Sequence, residues 1–182
     1  MRAPGFADPS RDSARAFRAA MEAMARPGTL HEVAGPEVPG LSPAAAVLLL
    51  TLTDPTTPVW LGGEAARARD WLTFHTGAPG AGKADAMFAL GRWSDLAPLD
   101  PYPIGTPDYP DRSATLIVET DRLEGGGPRL TGTGIETETA FPLPDPEALA
   151  RNAGLYPQGL DFYFTCGTRL AALPRSTDVE AL

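Results

Sequence analysis

A chain of 182 residues fits one domain spanning residues 1–182, of a size that buries roughly two-thirds of the surface its unfolded form exposes. Its 15 basic and 23 acidic side chains give a net charge of −8 with no basic run, which excludes the footprint of a nucleic-acid surface. No apolar run reaches the ~20 residues of a membrane-spanning helix, Met1 to Phe6 holds no apolar stretch of signal-peptide length, and the lone cysteine excludes an internal disulfide, so a cytoplasmic chain is expected.

Residues 10–25 are expected to form a helix, with Ser10 as N-cap and Asp12 in the first turn. Ala14, Phe17, Met21 and Met24 make one apolar stripe on it, read as core rather than as a docking face. Pro27-Gly28 ends this helix, a short strand covers 29–34, and 35–41 is a Gly/Pro loop. Ser42-Pro43 starts a second helix, a cap followed by proline at the first helical position. Residues 44–52 are apolar all round, so this helix belongs inside the protein. The turn at 53–58 leads into a strand at 59–61, Gly62-Gly63 breaks it, and 64–71 has helical composition. Residues 86–90 give another strand, stopped by Gly91. Prolines at 98, 101, 103, 107 and 110 make the next stretch stiff and extended rather than regular.

Residues 114–120 read as a central strand and 128–135 as a second, joined to it as a hairpin through Gly125-Gly126-Gly127. A helix from about residue 147 to 152 follows, closed by Gly154. Near the end, apolar runs at 160–165 and 170–173 flank a Cys166-Gly167-Thr168 turn and form a buried hairpin. Pro174 halts the ladder and leaves Arg175, Ser176, Thr177 and Asp178 at one edge. About seven strands alternating with four or five helices favour a layered α/β domain.

Four groups invite a chemical reading. Residues 77–84 meet the phosphate-loop pattern at Gly77, Gly82 and Lys83, the sole lysine, but Ala84 stands where a hydroxyl would hold magnesium. Such a loop needs a strand before it, for which 72–76 could serve, and a helix behind it, where 86–90 is too short; a flexible Gly/Pro turn is the better account. His75 is the histidine better placed to face a cleft, although neither it nor His31 has a partner at metal-ligand spacing. A nucleophile could be drawn from Cys166 with His75, but only Arg169 stands near to lower the thiol pKa and no activating base is in evidence. Asp161, inside a strand, needs a cation such as Arg175 or Arg112, and a structural ion pair is the preferred reading. The ligand candidates are therefore His75, Lys83, Arg112 and Arg175, with no catalytic residue and no metal ligand assigned.

The ending Pro157-Gln158-Gly159-Leu160-Asp161, a hydrophobic strand and Pro174-Arg175-Ser176-Thr177 resemble the H subunit of carbon-phosphorus lyase, the PhnH family. So do Arg26-Pro27-Gly28, the 48–52 run followed by Asp54, Thr57-Pro58-Val59-Trp60-Leu61, and Phe74-His75-Thr76-Gly77-Ala78-Pro79. Arg112-Ser113-Ala114-Thr115 and Leu130-Thr131-Gly132 complete a resemblance over nearly the whole chain, while Thr133 and Ser176 depart from the family pattern. The resemblance implies an α/β fold, a mixed sheet flanked by helices, similar to the large domain of pyridoxal-phosphate (PLP)-dependent transferases but without PLP. It implies a cytoplasmic subunit that is a homodimer when alone and that joins the G, I and J subunits in the ribose 1-methylphosphonate 5-triphosphate synthase complex. That complex joins an alkylphosphonate to the ribose of ATP with loss of adenine. No cofactor is expected: one cysteine cannot hold an iron–sulfur cluster, and Lys83 lies in a turn. The expected role is a non-catalytic interaction subunit. The alternative is a nucleotide- or phosphonate-binding subunit that lends residues to a neighbour's active site.

Overall fold

The structure, a computed structural model, describes residues 3–180; Met1 and Arg2, on which the expectation of a cytoplasmic chain partly rests, lie outside the described residues. Nine strands and five α-helices are described: α1 (Pro9–Ala25), β1 (His31–Glu32), α2 (Pro43–Leu52), β2 (Val59–Leu61), α3 (Arg69–Thr76), β3 (Phe88–Arg92), α4 (Trp93–Leu96), β4 (Thr115–Glu119), β5 (Arg129–Gly132), β6 (Thr139–Ala140), α5 (Pro146–Ala153), β7 (Asp161–Cys166), β8 (Arg169–Leu173) and β9 (Thr177–Glu180). Short 3-10 turns cover Gly63–Ala68 and Lys83–Asp85.

Six strands form a mixed sheet in the order β1-β8-β7-β4-β3-β2, in which β2, β3, β4 and β7 run parallel, β8 runs against them, and β1, antiparallel to β8, shares their direction. Both faces of the sheet are covered. Side chains alternate along a strand, so neighbouring residues enter different cores. Ile117 and Tyr163 join the core under α1, α2 and α3, whereas Leu116, Val118, Phe162 and Phe164 join the one under α5 and a second sheet. Double burial explains why 116–118 and 162–164 read as unbroken apolar runs rather than as an apolar/polar alternation.

The helix α2 is held as its sequence predicts. Ser42 Oγ accepts the Ala45 N–H at 3.1 Å, and residues 44–49 are fully buried between α1 and the sheet. The first helix differs in cap and in stripe. Asp8, not Ser10, is the N-cap, accepting from the Arg11 N–H at 3.2 Å, with Pro9 at the first helical position. Its buried stripe is Ala16, Ala20 and Ala23, small residues that let the backbone approach α2 and β8, and the Tyr163 hydroxyl donates to the Ala20 carbonyl at 3.2 Å. Phe17 and Met21 are 53% and 54% exposed, so the larger apolar side chains form an outer face instead of core.

Two connections also differ from the sequence expectation. The glycines at 125–127 do not close a hairpin, because β4 is already paired on both sides by β3 and β7. The chain leaves the sheet there, and β5 pairs with β6 and β9 in a separate three-stranded sheet. Gly127 permits that exit, since a Cβ on it would lie 1.9 Å from the Phe141 carbonyl oxygen. The 160–173 hairpin forms as expected, with Phe162 opposite Leu173 and Cys166 opposite Arg169. Beyond Pro174, however, the chain does not stay an exposed edge: β9 buries Thr177 and Val179 and exposes Asp178 and Glu180.

This packing sets a contrast in stability. Phe164 is fully buried against Phe141 and Phe162, at ring separations of 5.6 and 6.2 Å. Phe164→Ala is expected to lower the unfolding free energy in urea by about 3–5 kcal/mol, and Phe17→Ala by no more than about 0.5 kcal/mol. Equal losses would contradict the placement of α1.

Candidate functional site

The four candidate side chains occupy separate structural posts. Lys83 reaches from its 3-10 turn to the end of α4, where Nζ donates to the carbonyls of Asp95 (2.8 Å), Leu96 (2.9 Å) and Ala97 (3.5 Å). Its ammonium also lies 4.7 Å from the centre of the Trp60 ring and 5.5 Å from that of Tyr102. An ammonium has three donors, and here all three meet the exposed carbonyls of a helix end. Tyr102 donates to the same Leu96 carbonyl at 3.2 Å, and burial pushes its phenol pKa up.

The rest of 77–83 does not cradle an anion. Residues 72–76 are the last turns of α3, not a strand, and Gly77 caps that helix at φ +74°. The chain then lies along the edge of β2, where Val59 N–H donates to Pro79 (2.9 Å) and Ala81 N–H to Val59 (3.1 Å). Behind Lys83 only three residues turn, in 3-10 form, so no helix N-terminus faces the loop.

His75 serves the N-terminal segment. Its Nε2 lies 3.2 Å from the Ala3 carbonyl oxygen, its ring packs between Trp71 and Phe74, and the Trp71 indole N–H donates to the Pro4 carbonyl at 3.0 Å. A Cβ at Gly5 would approach His75 Nδ1 to 2.8 Å, so residues 3–6 need that glycine to lie against the ring.

Arg175, and not Arg112, neutralises Asp161. Its backbone N–H (2.9 Å) and Nε–H (3.1 Å) both donate to Asp161 Oδ1, while Nη2 reaches Oδ2. Nη1 donates to the Pro110 carbonyl at 2.6 Å and Nη2 also meets Ser113 Oγ, so one half-buried guanidinium fastens the proline-rich stretch to the start of β7. Arg112 stacks on the Tyr109 ring, 4.0 Å from its centre, in the exposed loop. Cys166 is half-buried at the hairpin, and Arg169 beside it pairs with Glu124 at 3.0 Å.

The sheet also builds a crevice of about 560 Å³ where β2, β3 and β4 end. In open α/β sheets the carboxyl ends of parallel strands are the usual ligand position. Gly62-Gly63 follows β2, Gly91 ends the apolar part of β3, and Glu119 closes β4. The floor is Asp95, which accepts the Arg92 N–H at 3.1 Å; a Cβ on Gly63, at φ +54°, would come within 2.4 Å of its Oδ2. Glu119 accepts from Ser42 N–H (2.7 Å) and from Thr165 Oγ–H (3.1 Å), and Arg92 pairs with Asp121 at 3.0 Å. That pairing, through its hydrogen bond and charge, holds the exposed Asp121 carboxyl below its usual pKa. The charged groups of the crevice thus already have protein partners. Residue-by-residue reading missed this place, although a glycine at the end of two successive apolar strands was a visible sign of it.

Among the described residues no group of three His, Cys, Asp or Glu is arranged to hold a metal ion. The geometry of Lys83 carries a prediction. Lys83→Met should lower stability by roughly 1–3 kcal/mol in urea unfolding, through loss of carbonyls' partners, while leaving ATP affinity unchanged by calorimetry. Micromolar ATP binding lost in this variant would restore the phosphate-loop reading.

The family described as "Bacterial phosphonate metabolism protein (PhnH)" matches residues 4–180. The alpha-D-ribose 1-methylphosphonate 5-triphosphate synthase subunit PhnH of Rhizobium meliloti (strain 1021) is 38% identical over 188 aligned positions, covering 96% of this chain and 94% of the relative. HtxG of Stutzerimonas stutzeri, whose name assigns it provisionally to C-P lyase, is 29% identical over 172 positions, or 91% of this chain and 84% of that protein. With a match that runs from the N-terminal clamp to the last strand, the chain belongs to the PhnH family of bacterial phosphonate metabolism proteins.

Proposed function

We propose that this chain is a non-catalytic structural subunit of the carbon-phosphorus lyase core complex, needed for organic phosphonate breakdown. The observation that carries the reading is similarity along 96% of the chain to a subunit named for ribose 1-methylphosphonate 5-triphosphate synthase. The side chains best suited to chemistry support it from the other direction. Lys83, His75 and Arg175 spend their polar atoms on carbonyls, a carboxylate and a hydroxyl of the same chain. The chain acts as a single domain in the cytoplasm, pairs with itself when alone, and meets the G, I and J subunits in the assembled enzyme.

The fold is read as akin to the large domain of PLP-dependent transferases, on the basis of its mixed sheet with helices on both faces. The residues present do not fit PLP itself. A Schiff base needs a free amine, and the only lysine is pinned to the end of α4.

Phe17 and Met21, one turn apart and more than half exposed, supply α1 with an apolar face for another polypeptide. A second reading, favoured by the crevice at the ends of β2, β3 and β4, is that this chain lends a wall to a neighbour's site. Coexpression with tagged G, I and J subunits separates these. The chain should co-purify in stoichiometric amounts, and Phe17→Arg with Met21→Arg should weaken self-association or assembly with the melting temperature held within about 3 °C. Retention of every contact by the double variant would remove α1 from the interface. An assembled but inactive Ser94→Trp complex, altered at an exposed residue of the crevice, would favour the shared crevice.

A further inference from the structure

Beneath α5 a cavity of about 590 Å³ opens between that helix and the stretch that follows α4. None of the four candidate side chains lines it, and it is separate from the crevice at the strand ends. Its walls are apolar and aromatic: Trp93, Leu99, Tyr102, Ile104 and Leu160. Two of these walls are fixed, one by hydrogen bonds and the other by ring packing. Asn152 donates to the Leu160 carbonyl at 2.9 Å and accepts the Leu160 N–H at 2.8 Å, while Trp93 packs on Phe162 with ring centres 6.4 Å apart. Because the Tyr102 hydroxyl is committed to Leu96, a ligand meets its ring rather than its O–H.

The polar groups at the mouth are Asp100, Asp145 and Arg151. Asp145 Oδ1 already accepts the Ala148 N–H at 2.9 Å, so the start of α5 carries its own negative cap. The Arg151 guanidinium leans toward Glu147, at 3.9 Å, and is 71% exposed. The rim therefore presents two carboxylates and a cation already shared with a third. Flat apolar walls accept a stacked ring, carboxylates accept hydrogen bonds from amino groups, and like charge repels phosphate.

We propose that this cavity binds a planar heteroaromatic ligand of about nucleoside size, bearing amino donors and no phosphate. The volume lies within the roughly 300–1,000 Å³ of small-molecule pockets. The inference rests on the cavity alone and stands apart from the family reading.

Calorimetric titration of the full chain with adenosine, tryptamine and ATP tests it. Adenosine and tryptamine should bind with Kd below about 1 mM, and ATP at least roughly tenfold more weakly at low salt. Ala148→Leu, which fills the cavity from α5, should abolish binding of both. Asp100→Asn, at the exposed rim, should weaken tryptamine about threefold without changing the melting temperature. ATP binding as tightly as adenosine, or binding indifferent to both substitutions, overturns the proposal. So does the absence of any binding up to about 5 mM, the result expected if the cavity instead receives a side chain of a neighbouring polypeptide.

Discussion

Burial of the six-stranded sheet on both faces is the constraint from which the other features follow. The central strands β4 and β7 send alternate side chains into two separate cores, so they can carry almost no charge between their ends. Polar groups are therefore displaced to the strand termini, where Asp161 starts β7 and Glu119 finishes β4. Each of those carboxylates is then held by a neighbouring element: Arg175 clasps Asp161, and the first N–H before α2 reaches Glu119. A buried sheet without these clasps would leave its loops unattached and its end charges half-desolvated.

The same economy explains why so many reactive-looking residues have structural posts. Lys83 neutralises the carbonyl end of α4 within a frame of Trp60 and Tyr102, doing for that four-residue helix what a cap does elsewhere. His75 and Trp71 seat residues 3–6 against α3. Such ties join segments far apart in sequence, as Arg175 joins residues 110, 113 and 161. They give a surface of fixed shape, which suits the subunit role proposed for this chain.

What was legible in the sequence follows a physical division. Local rules recovered α2, its Ser42-Pro43 start, the 160–173 hairpin and the layered α/β class, because cap chemistry and apolar runs act over a few residues. A cation for Asp161 was also foreseen, since a carboxylate inside a strand demands one, with Arg175 and Arg112 as candidates between which only the fold chooses. Helix 1 misled because its core face uses alanines to approach α2 closely, leaving Phe17 and Met21 outside; a hydrophobicity pattern weighs the larger residues more. The glycines at 125–127 misled because the partners of β4 are fixed by strands far away in sequence. The cavity under α5 arises only when separate elements meet, so no single stretch announced it, and the strand-end crevice left only the glycines after β2 and in β3 as its trace.

The chain belongs to the PhnH family of phosphonate metabolism proteins, and the structural employment of its polar groups supports the central proposal, that it contributes shape and not chemistry. The most direct measurement is turnover by a reconstituted complex containing, in turn, His75→Gln, Lys83→Met, Arg112→Ala and Cys166→Ser versions of this subunit, each checked for stoichiometric assembly. The account predicts kcat within about twofold of the unaltered complex for every assembled variant. A loss of about a hundredfold or more in kcat, with the complex intact, would place a reacting group on this chain and contradict it.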